Sequence, residues 1–148
     1  MPINLTVHPH SCLAYYRLSG VLTVDDSARA LRAWIDHPGF EPSHVMLIDM
    51  STCDEIRVTF LGIVVAVERL LPVFDAFTRP ALCVIHAPDD VAFGVARMLQ
   101  QTVEPVSNIC FEIHRDPPGA LRAAGICLPT FDALDAGLGL SLPAVGFG

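Results

Sequence analysis

Not one of the 148 residues is a lysine; all nine basic side chains are arginines, set against sixteen carboxylates, and the formal net charge is -7. That absence closes several functions together. A P-loop needs Gly-Lys-Ser/Thr to reach the phosphates of a nucleotide, and a receiver domain needs a lysine beside its phosphoacceptor. The acidic balance repels a phosphate backbone or an anionic membrane as a whole, so no nucleic-acid partner is expected. Paired cysteines are missing too. Cys12, Cys53, Cys83, Cys110 and Cys127 are odd in number and form no Cys-x-x-Cys, which excludes a disulfide framework or a zinc site and predicts reduced, mostly buried thiols. His8 and His10 have no third ligand in view and read as solvated side chains. No metal and no cofactor is expected.

Long apolar runs are also absent. No window offers the roughly 18 uninterrupted apolar residues of a spanning helix, and "MPINLTVHPH" lacks the basic-then-apolar order of a signal peptide. The expectation is a cytoplasmic chain with no membrane insertion. A dinucleotide fingerprint would put Gly-x-Gly-x-x-Gly straight after a strand, whereas "GLGLSLPAVG" has no strand before it. There is no Gly-x-Ser-x-Gly elbow either.

What is present is a 52% hydrophobic chain, long enough for one real core. Ile3 to Val7 and Leu13 to Leu18 read as a hairpin around "HPHS". Thr23 caps a predicted helix with Asp26 at its third position and Val24, Ala28, Leu31 and Ile35 as its stripe, until Pro38-Gly39 stops it. A strand follows at Val45 to Asp49, then a polar loop. In "TFLGIVVAVERLLPVF" the residues Phe60, Val64, Val67, Leu71 and Phe74 form one stripe, and Leu61, Val65 and Leu70 form a second, so this helix should be buried all round or covered by a subunit, with Pro72 ending or kinking it. "ALCVIHA" is a strand, Asp89 or Asp90 caps the next helix, and "NICFEIH" is the last strand. Asp116, Pro117 and Gly125 frame a final helix. The sum is β-β-α-β-α-β-α-β-α, an α/β domain with a mixed, mostly parallel five-stranded sheet. It spans residues 1 to 128. Residues 129 to 148 read as an apolar, Gly-rich tail without periodicity, docked on the domain or a partner subunit through Phe131, Leu134, Leu138, Leu140 and Phe147.

The run "LIDMSTCDEIRVTFLGI" ends a strand in Asp49-Met-Ser51, and a carboxylate there lies where sheets of this class meet ligands. Asp49 is followed by Met, Ser and Thr rather than by Asp-x-Thr, so a haloacid-dehalogenase-type nucleophile is excluded. The run resembles the corresponding region of STAS domains, the SpoIIAA-like family, and "APDDVAFGVARMLQ" is similar to a segment of its STAS/SEC14-like bacterial branch. The resemblance covers residues 1 to 126. It implies strands in sequence order and helices mainly on one face. It also sets the family's phosphoacceptor position near Val58 or Thr59, with Arg57 or Val58 in place of the preceding acid.

The resulting expectation is a non-catalytic, STAS-like regulatory or protein-interaction module, homodimeric, with an unnamed protein partner. Candidate binding residues are Asp49, Ser51, Thr59, His86, Asp89 and Asp90, with Thr59 as the sole phosphorylation candidate and Phe60, Val64, Val67, Leu71 and Phe74 as the oligomer interface. Two alternatives stand beside it. A carrier of a small apolar or lipid-like ligand would need an enclosed apolar cavity; a hydrolase using His86 with the Asp89/Asp90 pair would need Asp49, His86 and Asp89 to converge around a polar cleft.

Overall fold

The computed structural model describes residues 3–137. Five strands form one sheet in sequence order: β1 (Ile3–His8), β2 (Leu13–Thr23), β3 (Val45–Arg57), β4 (Ala81–His86) and β5 (Ile109–His114). β1 is antiparallel to β2 and every other pair is parallel. Helices α1 (Val24–Ile35), α2 (Phe60–Phe74) and α3 (Asp90–Val103) cover one face, and α4 (Pro117–Ala123) and α5 (Phe131–Asp135) cover the other. This is the α/β architecture expected, with helices mainly on one face.

Local chemistry explains the element ends. Thr23 and Asp26 exchange hydrogen bonds as a capping box, two of the orphan amides at the start of α1 being satisfied. Asp116 caps α4, Pro117 opens it, and Gly125 at φ +78 turns the chain out of it in the left-handed region that only glycine enters freely. Gly20, at φ +67, sits at a register irregularity between β2 and β3, where the extra twist of a bulge needs the same freedom.

Several expectations are corrected. The polar stretch after Asp49 is not a loop: β3 runs on to Arg57, paired with an equally extended β2 as far as Thr23↔Arg57. The two strands therefore project beyond the rest of the sheet, because β4 pairs with β3 only up to Asp49↔His86. Pro72 neither ends nor breaks α2, which continues to Phe74; so near a helix end the missing amide disturbs little. The thiols are not mostly buried. Cys83 alone is, Cys53 is half-buried, and Cys12, Cys110 and Cys127 are exposed at turns and on the edge strand.

The segment read as a tail also contains a helix. α5 is capped by Thr130, whose hydroxyl accepts from the Ala133 amide, and its Phe131 and Leu134 are buried against Leu13, Tyr15, Leu47 and Val84. Leu138, Leu140 and Phe147 lie outside the described residues. The second layer over the sheet is thus α4 with α5.

α2 is not buried all round. Ile63, Leu70 and Phe74 face the sheet and Val67 packs beside them, whereas Phe60, Leu61, Val64, Val65 and Leu71 are exposed. Phe74 and Val67 therefore belong to the core and not to an oligomer interface. The stripe at spacings of four and three lies about 50° to one side of the buried face, a displacement that an apolar helix hides in its sequence.

Candidate functional site

Alternation along the strands sets the first constellation. Tyr15 and Arg17 on β2, Leu47 and Asp49 on β3, and Val84 and His86 on β4 point to the α4/α5 face, and register puts Arg17, Asp49 and His86 side by side. The Asp49 carboxylate is fully buried. Its Oδ1 accepts from His86 Nδ1 at 2.8 Å and from the Ser51 amide at 3.0 Å. Its Oδ2 lies 3.2 Å from Arg17 Nε, yet it receives no aligned hydrogen bond, so that contact is ionic attraction alone. Burial pushes the Asp49 carboxyl upward, but the hydrogen bonds from His86 and Ser51 and the charge of His86 outweigh it and hold the group below its ordinary value of 3.8.

An ionised carboxylate only accepts, so His86 Nδ1 carries a proton and donates to Asp49 Oδ1. Nε2, also buried, has no partner, and neither has the Tyr15 hydroxyl. Both rings lie under Phe131, which stacks on His86 at 5.1 Å and on Tyr15 at 6.0 Å. Arg17 extends past Asp49 to the Asp132 carboxylate at 3.2 Å and to Asp135. α5 is therefore fastened by one aromatic ring and two carboxylates over a closed Arg17–Asp49–His86 node.

The remaining sequence candidates do not join this node. Asp89 caps α3 by accepting from the Ala92 amide at 2.8 Å, and Asp90 pairs with Arg115 at 2.9 Å. His86 thus finds Asp49 and not the Asp89/Asp90 pair. Thr59 caps α2 through the Gly62 amide at 3.0 Å and is exposed, as is Ser51. The Asp–Ser step is a strand-internal brace: Asp49 ties its own chain to β4 and, through Arg17, to α5.

The second constellation lies on the opposite face. Between α1, α2, α3 and the sheet is a cavity of about 150 Å³ lined by side chains such as Leu22, Ile48, Met46, Met50, Val67 and Phe111. Its few polar groups are already engaged: the Tyr16 hydroxyl donates to the Ala30 carbonyl at 3.4 Å and the Ser27 hydroxyl to the Thr23 carbonyl at 3.3 Å. The Cys83 thiol, pushed up to about 12 by burial, stays neutral. The wall accordingly offers hydrocarbon and no free hydrogen-bonding group.

Sequence reading missed Arg17, Tyr15, Asp132 and Asp135. The period-two string "AYYRL" places Tyr15 and Arg17 on one face, so part of that signal was there. The cavity leaves no comparable mark, since its lining residues are indistinguishable in type from an ordinary core. No family model, curated protein or solved structure matches the chain. Among the described residues, no helix is long and apolar enough to cross a membrane.

Proposed function

We propose that the chain is a non-catalytic binding protein that holds the hydrocarbon part of a small ligand between its helices and its sheet. The observation that carries this reading is the apolar cavity. Removing apolar surface from water stabilises by about 25 cal/mol per Å², so a ligand whose hydrocarbon fills this apolar space is held by its lining. The Asp49–His86 pair supports the same reading from the other side, because both side chains are buried and the His86 ring lies under Phe131. The sequence-order sheet with its antiparallel first strand is what a STAS-type domain has, and it supports that kinship as part of the proposal.

The test is thermal unfolding with 1-octanol. At a hundredfold excess over Kd the fold gains about 2.7 kcal/mol, a rise in Tm of roughly 5 to 10 °C for a chain of this length. Ala66→Leu, which enlarges a side chain in the cavity wall, should abolish the rise. A wild-type Tm indifferent to octanol up to its solubility overturns the reading.

A second reading, a self-associating interaction module, is favoured by the exposed Phe60, Leu61, Val64, Val65 and Leu71 on α2. Closed dimers are the commonest solution to such a surface. Light scattering should then give twice the chain mass for the wild type and the chain mass for Leu61→Glu. A monomeric wild type at tens of micromolar sinks it.

A further inference from the structure

Resting on the binding reading above, we propose that the ligand is an anionic amphiphile, with its chain in the cavity and its charged head held by Arg32 and Arg69 in the groove between α1 and α2. The two spaces are joined by their walls. Val24, Ala28, Ala66 and Leu70 line both the buried cavity and the surface groove above it. Ala28 and Ala66 carry nothing beyond a methyl group, so the two helices are separated at mid-length by the smallest of those walls.

Charge along the groove is polarised. α1 and α2 each follow a strand of the parallel β2–β3 pair and so run the same way. Arg32 is seven residues beyond Asp25 on α1, and Arg69 is seven residues beyond Gly62 on α2, which puts both arginines roughly 10 Å further along than the Asp25 end. Asp25 is the one carboxylate among the groove residues. Among the described residues, Arg17, Arg29, Arg57 and Arg115 have carboxylate partners; Arg32 and Arg69 have none, as is also true of Arg79, Arg97 and Arg122, and of these five only Arg32 and Arg69 line the groove. In a chain of net charge -7, two guanidiniums without a carboxylate partner on the groove that shares its walls with a hydrocarbon cavity favour a carboxylate or a phosphate monoester there. The cavity, comparable in volume to one that takes a benzene ring, holds a chain of about six carbons, and two more reach the groove.

Isothermal titration with octanoate, octyl phosphate and 1-octanol tests the proposal on the intact chain. At low ionic strength either anion should bind about fivefold to tenfold tighter than the alcohol, and the advantage should shrink as salt is raised. The tighter of the two anions identifies the head as carboxylate or phosphate. Arg32→Ala with Arg69→Ala should remove the advantage and leave octanol binding unchanged; both side chains are exposed and unpaired, so the double variant should fold as the wild type does. Octanol binding equal to or tighter than both anions overturns the anionic head while the apolar site stands. An anion advantage that is equal in the wild type and the variant does so too. No binding of any of the three overturns the apolar site itself.

Discussion

Asp49→Ala is expected to lower the unfolding free energy by about 3 to 5 kcal/mol, the usual effect of removing one member of a buried charged pair. The substitution leaves the His86 Nδ1–H and the Ser51 amide without an acceptor and Arg17 without its inner counter-charge. Asp49→Asn keeps the shape and one acceptor and should lose less. The pH dependence has a definite sign. A carboxyl whose folded pKa is held below its unfolded value of 3.8 contributes stability that is complete above that value and is lost as pH falls through the lower, folded pKa. Denaturant titrations between pH 7 and 2 should therefore show an acid limb below about pH 4 that is shallower in Asp49→Asn. Wild-type midpoints for Asp49→Ala, or an unchanged acid limb, would mean that the buried node carries no stability.

The second large effect is expected at Phe131. Phe131→Ala should destabilise by about 3 to 5 kcal/mol, as large-to-small changes of buried aromatic residues do, because the ring closes the α5 side of the core over Tyr15 and His86. Water reaching His86 Nε2 and the Tyr15 hydroxyl, which lack partners in the closed state, should set the loss at the lower end of that range. Denaturant unfolding measures the loss. A neutral Phe131→Ala would show that α5 is not held by this ring.

Most of the framework was legible in the sequence, and for physical reasons. Capping residues at Thr23 and Asp116, a left-handed glycine at Gly125 and apolar strands of six residues each fix an element locally. The extension of β3 was not legible, because "STCDEIR" is polar and only pairing with an equally long β2 makes it a strand. α5 escaped because five residues are too few to show a period. That Asp49 and His86 lie near each other follows from their places at the ends of apolar strands in a parallel sheet, but their direct pairing depends on the register between β3 and β4, which no local pattern encodes. On α2 the apolar surplus gave two readings, burial within the chain or cover by a subunit, and the first is corrected because the surplus lies on an open face.

Hydrocarbon is expected to enter the cavity between helices and sheet. Methionine-methyl NMR tests it most directly, since Met46 and Met50 line the cavity whereas Met98 does not. Titration with 1-octanol should shift the Met46 and Met50 methyl resonances along one saturable curve and leave Met98 in place. Shifts that fail to saturate, or that move Met98 as much as Met46 and Met50, would contradict the claim.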